Sequence, residues 1–178
     1  VVAASAAPDT ATAPAAATPA APSTPAAGDT SRVVTSNGYG TVHIGASAAQ
    51  LASALGTKVP ASHSADERSC RYVVLSVLPS GMRVMLVNDS VARIDIGAAG
   101  PRTAEGAGIG DAESKVVSLY GARALVRPNK YTGPVGHDIV VNAPGDSTHR
   151  VIFETDGKKV LRFHAGRQPA VDYVEGCG

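Results

Sequence analysis

The sequence predicts an exported α+β domain in which two tandem helix–three-strand repeats share one antiparallel sheet, with the helical elements on one face. Three observations predict it: a first part rich in Ala, Pro and Thr, a thirteen-residue pattern that recurs 65 positions later, and a β-rich meander after each copy. The predicted boundaries are a disordered tether at 1–30 and a domain at 31–178, with repeat one at 39–97, repeat two at 106–166 and a C-terminal segment at 167–178.

The tether prediction follows from composition. Proline recurs at positions 8, 14, 19, 22 and 25, and each interior proline would remove a helical hydrogen bond. Such a segment is an extended linker that cannot form a core. Small residues at 1–7 are typical of what remains of an apolar export signal, and low-complexity tethers often follow a signal peptide or lipobox in bacterial envelope proteins. We therefore expect a periplasmic, outer-membrane-anchored or secreted protein, with a possible lipid anchor upstream.

The recurring pattern occupies residues 44–56 and 109–121, and both copies begin with Ile-Gly and end with Gly. Ser47 and Asp111 are the expected helix N-caps, and the closing glycines suit left-handed C-caps. Apolar residues at helical spacing are expected to face the core; they are Leu51, Leu55, Val116, Leu119 and Tyr120. Each copy therefore predicts a helix of two to three turns.

Three strands are predicted after each helix, with turn residues between them. In repeat one they cover 72–78, 82–87 and 91–96; in repeat two they cover 137–142, 150–154 and 159–165. One such unit is too small to bury much apolar surface, so the two are expected to complete one sheet. The face opposite the helices is expected to remain at least partly open.

The order of these motifs over residues 39–166 resembles the tandem-repeat fold of the β-lactamase inhibitor protein family. It also looks like that of small outer-membrane assembly lipoproteins, which carry one such unit. The resemblance implies that the concave sheet and its loops hold a partner protein. The chain departs from the inhibitor family in having no Trp, five Tyr and two Phe, so an aromatic-rich binding face is poorly supported.

Cys70 and Cys177 are the two cysteines. They do not form a C-x-x-C pair, and two thiols alone do not complete a zinc site. A disulfide between them would close a loop of about a hundred residues and hold the segment 170–176 against the domain. The alternative is two unrelated free thiols.

Composition and spacing argue against several classes of function. The net charge is +1 with scattered Lys and Arg, which does not favour nucleic acid, and no apolar run is long enough for a membrane span. The five histidines have no metal-site spacing; they are His43, His63, His137, His149 and His164. No phosphate loop or nucleophile elbow occurs, so we expect no metal, no cofactor and no enzymatic activity. An enzyme that depends on His137 or Asp138 remains an alternative.

The predicted function is a cell-envelope binding module for a protein or an envelope ligand. The connectors 57–69 and 122–135 are the longest loops predicted, and the second carries Arg123, Arg127, Lys130 and Tyr131. One alternative is an inhibitor or immunity protein of an envelope-acting enzyme. Another is a carbohydrate-binding module that uses Tyr131 or Tyr72.

Overall fold

The computed structural model describes Val1 and residues 32–178, so nearly all of the predicted tether lies outside the described residues. The strands are β1 (Val33–Thr35), β2 (Gly38–Tyr39), β3 (Val42–His43), β4 (Arg71–Val73), β5 (Met82–Val87), β6 (Ser90–Ile96), β7 (Arg102–Thr103), β8 (Ala124–Pro128), β9 (His137–Ala143), β10 (Asp146–Thr155) and β11 (Val160–Arg167). The α-helices are α1 (Ala48–Leu55), α2 (Ala65–Ser69) and α3 (Glu113–Tyr120), and short 3-10 turns cover Gly121–Arg123 and Ala170–Asp172. The prediction of a mixed α+β fold is confirmed.

Seven strands form one antiparallel sheet in the order β4-β5-β6-β11-β10-β9-β8. Strands from both parts of the sequence meet at its centre, where β6 pairs with β11. The remaining strands form a smaller sheet in the order β3-β2-β1-β7, in which β1 and β7 are parallel. This second sheet is absent from the sequence prediction because its strands are only two or three residues long.

The main core lies between the large sheet and the helices α1 and α3. Leu51 of α1 and Val116 and Tyr120 of α3 belong to the same buried cluster as Phe153 and Phe163 of the sheet. The two phenylalanine rings stack with their centroids 5.2 Å apart. Both helices therefore cover one face of the large sheet, which leaves the opposite face for other contacts.

The segments that precede α1 and α3 make matching hydrogen bonds to the large sheet. The amide of Gly45 donates to the carbonyl of Val91 at 2.7 Å, and the amide of Gly110 donates to the carbonyl of Val160 at 2.9 Å. Each helix is eight residues long and starts 65 positions from the other. Residues 44–56 and 109–121 thus hold helices of equal length in equivalent positions. The left-handed C-cap predicted at both closing glycines is present at Gly56 but not at Gly121, whose ψ is -129°.

The helix ends differ in detail from the prediction. Ser47 is the N-cap of α1, and its side chain accepts a hydrogen bond from the amide of Gln50. The N-cap of α3 is Ala112 and not Asp111. Asp111 is unavailable because its carboxylate accepts hydrogen bonds from the Arg102 guanidinium, from Lys115 and from the amide of Gly108. Burial acts to raise the pKa of Asp111, but these contacts together, the bond from Arg102 first among them, hold it below its usual value.

Three segments fold differently from their predicted structure. The strand predicted at 72–78 is reduced to β4, whose ladder with β5 ends at the pair Val73 and Val84. The predicted loop at 57–69 contains α2, and the predicted loop at 122–135 contains β8. No helix among the described residues is long and apolar enough to cross a membrane.

Candidate functional site

The face of the large sheet opposite α1 and α3 carries a row of charged side chains, and we call it the open face. Residues that oppose one another on neighbouring strands make up this charged row: Arg83 with Asp95, Asp95 with His164, Arg162 with Glu154, Glu154 with Asp138, and Asp138 with Arg127. Because alternate side chains of a strand point to opposite faces, the intervening apolar residues reach the main core. The row crosses six of the seven strands.

Arg93 and Asp95 form the most buried ion pair of the described residues. They are 5% and 8% exposed, and Nε of Arg93 lies 3.1 and 3.2 Å from the two carboxylate oxygens of Asp95. Nη2 of Arg93 adds a bond of 2.5 Å to Oδ1. Such a pair needs hydrogen bonds for all its remaining donors, because removing ions from water is costly.

Two adjacent carboxylates on the open face are neutralised separately. Glu154 and Asp138 oppose each other on β10 and β9, an arrangement that by itself is destabilising. Nη2 of Arg162 donates to Oε2 of Glu154 at 2.6 Å. Asp138 accepts a bond of 2.7 Å from the Asn129 amide, and Nε of Arg127 lies 3.5 Å from its Oδ2. Each of these two carboxylates is therefore balanced by its own partner.

A C-terminal strap, residues 168–178, crosses part of the open face. Nη1 of Arg93 donates to the carbonyl of Tyr173 at 2.6 Å, and Nε2 of His164 donates to the carbonyl of Val171 at 3.0 Å. The side chains of Ala170 and Val171 are buried in two small apolar clusters on this face. Backbone carbonyls of the strap thus help to bind it to the sheet.

The predicted disulfide is confirmed and attaches the end of the strap. Cys70 and Cys177 are bonded, with their Cα atoms 5.3 Å apart, and they pack beside Met85 and Tyr72. The bond holds the strap next to β4, at one edge of the large sheet. A disulfide is compatible with a location outside the cytoplasm.

Four of the five predicted binding residues border the open face or the strap. Tyr72 lies under the strap, where burial, followed by the charge of Asp95, raises its pKa to about 12. Arg127 belongs to the charged row. The hydroxyl of Tyr131 donates to Glu175 of the strap, and Nζ of Lys130 lies 3.5 Å from the same carboxylate.

Arg123 lies apart from the other predicted residues. Its Nη2 donates to Glu105 at 3.1 Å, and its guanidinium stands over the ring of Tyr120, whose hydroxyl bonds to the same carboxylate. Burial raises the pKa of Tyr120. Arg123 therefore supports the end of α3 and not the open face.

His137 and Asp138 point to opposite faces of β9. Nδ1 of His137 lies 3.0 Å from both carboxylate oxygens of Glu113 on α3, and the hydroxyl of Thr155 donates to the same carboxylate at 2.5 Å. Asp138 lies in the charged row. The two residues cannot act on one substrate together, and the described residues include no group of His, Cys, Asp or Glu suited to a metal ion.

The central residues of the charged row are not among the binding residues predicted from the sequence. Arg93 and Asp95 were assigned to a strand but not to a site, although they alternate with the buried Ile94 and Ile96. Charged residues at alternate positions of an apolar strand indicate a polar face, and this signal was available. The covering of that face by the strap depends on contacts between residues distant in sequence, which no local pattern specifies.

His164 is expected to make the stability of the domain depend on pH. Burial, and next the positive charge of Arg93, lower its pKa to about 3, although Asp95 opposes the shift. Glu154 and Arg162 also lie near the ring. The imidazole is therefore neutral in the folded state above pH ~3, and it gains a proton on unfolding between that pH and its usual pKa of about 6.5.

The stabilising contribution of neutral His164 is therefore complete above pH ~6.5 and is lost as pH falls toward ~3, by about 1.4 kcal/mol for each pH unit. Urea unfolding between pH ~7 and ~5, above the range of ordinary carboxylates, measures this slope. The variant His164→Gln keeps a donor for the Val171 carbonyl and should have a flatter profile. His43→Gln, at an exposed position, is the matched control. Parallel profiles for the wild type and His164→Gln would contradict the prediction.

Comparisons with protein-family models, curated proteins and solved structures found no match to this chain.

Proposed function

We propose that the chain is an exported cell-envelope binding module and that it binds a protein or an envelope ligand through the open face and the strap. The observation that carries this proposal is an edge patch in which exposed apolar and basic side chains are combined. Its members are Leu125, Arg127, Lys130, Tyr131, Tyr173 and Val174.

The apolar members of the edge patch are unusually exposed for such residues. Leu125 is 64% exposed, Tyr131 58% and Val174 47%. Leu125 opposes Val140 on the open face, two positions before Arg127 on the same strand. Single exposed apolar residues are ordinary, but a group of them beside a shallow cavity is typical of an interaction site.

The basic and aromatic members supply the residue types that interfaces favour. Arg127 lines a small cavity together with Tyr173 and Val174, and Lys130 stands 5.2 Å from the centre of the Tyr131 ring. Tyrosine and arginine are enriched at protein interfaces, where an apolar body and a polar end are used together. The patch also lies along β8, the last strand of the sheet.

We also propose that the domain contains two copies of one helix–three-strand unit, as the resemblance to the β-lactamase inhibitor protein family implies. The matching hydrogen bonds of Gly45 and Gly110, and the meeting of β6 and β11 at the centre of the sheet, support this proposal. Export is supported by the disulfide and by the composition of residues 1–30. A periplasmic location and a lipid anchor belong to the same proposal.

Capture from a cell-envelope extract tests the binding function. The full chain is immobilised, and the bound material is compared for the wild type, Tyr131→Ala and Leu125→Asp. We expect both variants to lose most of what the wild type retains, because each removes or charges an exposed apolar contact. Leu119→Asp is the matched control. The prediction that Leu119 faces the core is wrong, since this residue is 38% exposed on α3, away from the open face.

The identity of the captured material distinguishes the alternatives. One enzyme recovered in equal amount with the chain would indicate an inhibitor or immunity protein, and recovered glycan would indicate a carbohydrate-binding module. Identical recovery by the wild type, Tyr131→Ala and Leu125→Asp would overturn the assignment of binding to the edge patch.

A further inference from the structure

A second cavity on the open face is lined by three arginines. It has a volume of about 170 Å³, and we call it the arginine cavity; its lining is Tyr72, Arg83, Arg93, Asp95 and Arg162 from the sheet and residues 174–176 from the strap. The cavity is bounded by strands on one side and by strap backbone on the other. Its size suits a group of a few non-hydrogen atoms.

Arg83 is the arginine of this cavity without an acidic partner. It opposes Asp95 across β5 and β6, the position in which a cross-strand ion pair would form. Asp95 is engaged by three bonds from Arg93. Within residues 32–178, no carboxylate lies within 4.0 Å of the Arg83 guanidinium, which instead stands 4.5 Å from the centre of the Tyr72 ring.

The other charges around the cavity cancel. Arg93 is paired with Asp95, and Arg162 is paired with Glu154. Glu175 of the strap is held by Lys130, whose charge helps to lower the Glu175 pKa after the larger effect of the Tyr131 hydroxyl. The surplus at the cavity is therefore one positive charge, that of Arg83.

Tyr72 of β4 and Gly176 of the strap line the same space. Gly176 has a φ of 70° and lies so close to Tyr72 that a Cβ atom would come within 2.7 Å of the hydroxyl oxygen. The Tyr72 hydroxyl is protonated at neutral pH and so is a hydrogen-bond donor. A guanidinium and a phenol hydroxyl beside one small cavity are donors suited to an anion.

We propose that the arginine cavity binds a carboxylate group of the ligand, through the guanidinium of Arg83 and the hydroxyl of Tyr72. A carboxylate carries the single negative charge that balances Arg83, and its planar shape matches the paired donors of a guanidinium. An acidic side chain or a chain-terminal carboxylate would supply the same group. The inference rests on the proposed function, because it assumes that the ligand binds to the open face.

Titration of the full chain with acetate and with succinate tests the site. The readout is the ¹⁵N NMR shift of the backbone amides of Tyr72, Arg83 and Gly176 and of the Arg83 side-chain Nε–H. We expect saturable shifts with a dissociation constant in about the millimolar range, as befits a few contacts. Chloride at equal ionic strength, which controls for screening, should not reproduce them.

Two variants and one control distinguish acetate binding in the arginine cavity from nonspecific effects of charge. Arg83→Gln should weaken acetate binding about tenfold or more, because it removes the surplus charge. Glu175→Gln should strengthen binding about two- to fivefold, because it removes a nearby negative charge. Arg167→Gln makes the same change as Arg83→Gln at an exposed position outside the cavity and should bind acetate as the wild type does.

The inference is overturned if no saturable shift occurs, if chloride gives the same shifts, or if Arg83→Gln binds acetate with unchanged affinity. If the edge-patch variants lose captured material while acetate does not bind, the inference fails and the proposed function stands. Acetate binding at the cavity together with unchanged capture by the edge-patch variants supports the inference and overturns the assignment of binding to the edge patch.

Discussion

Replacing Arg93 with methionine is expected to lower the free energy of unfolding by about 3–5 kcal/mol, because it leaves the buried carboxylate of Asp95 without its partner. The carbonyls of Ala170 and Tyr173 lose a donor at the same time. Urea unfolding at neutral pH measures the loss. Arg123→Met is the control for removing an arginine from a more exposed pair with Glu105, and it should cost about 1 kcal/mol or less.

The double variant Arg93→Met/Asp95→Leu identifies the cause of this loss. Removing both ions takes away the unpaired charge, so the double variant should recover much of the stability lost by Arg93→Met. A double variant no more stable than Arg93→Met would contradict this explanation. It would show instead that the contacts of Arg93 with the strap carry most of the effect.

Removal of the disulfide has the second large expected effect. The bond joins residues separated by 107 positions, and in the chain-entropy model closing a loop of that length stabilises the fold by about 4–5 kcal/mol. The double variant Cys70→Ala/Cys177→Ala should therefore unfold at a much lower urea concentration. The wild type with a reducing agent should behave in the same way.

Amide hydrogen exchange in the strap gives a second measurement for the disulfide variant. Residues 173–178 should lose protection first, because beyond the disulfide few contacts hold this end of the chain. Protection in β6 and β11, which lie at the centre of the sheet, should decrease only with global stability. An unchanged urea midpoint in the double alanine variant would contradict the prediction.

The helices and the central strands could be predicted from the sequence because their signals are local. The Ile-Gly start and the Gly end bracket α1 and α3, and alternating apolar residues mark β5, β6, β9, β10 and β11. The strand at 72–78 was overestimated because Val74 and Val77 have high β-propensity but are exposed in the structure. Strand β8 was missed because a short run ending in Pro128 has the composition of a loop.

The candidate site could be predicted only in part. Lys130, Tyr131 and Arg127 were selected by residue type and loop length, and they lie near the strap as well as near one another. No sequence pattern marks Arg83 as a binding residue, because its lack of a carboxylate partner depends on the hydrogen bonds between Arg93 and Asp95. That competition between two arginines exists only after β5 and β6 have paired.

The charged residues of β6 also disfavour incorrect pairing of β6 with β11 as the chain folds. In the correct alignment, Asp95 lies opposite His164 at the centre of the sheet. A shift of β6 by one residue against β11 would turn Arg93 and Asp95 toward Phe163 and the other apolar residues beneath the helices. Ions in that environment would be far less stable than in their present positions, so the misaligned sheet is strongly disfavoured. The same ions that add little net stability thereby restrict the two strands to one alignment.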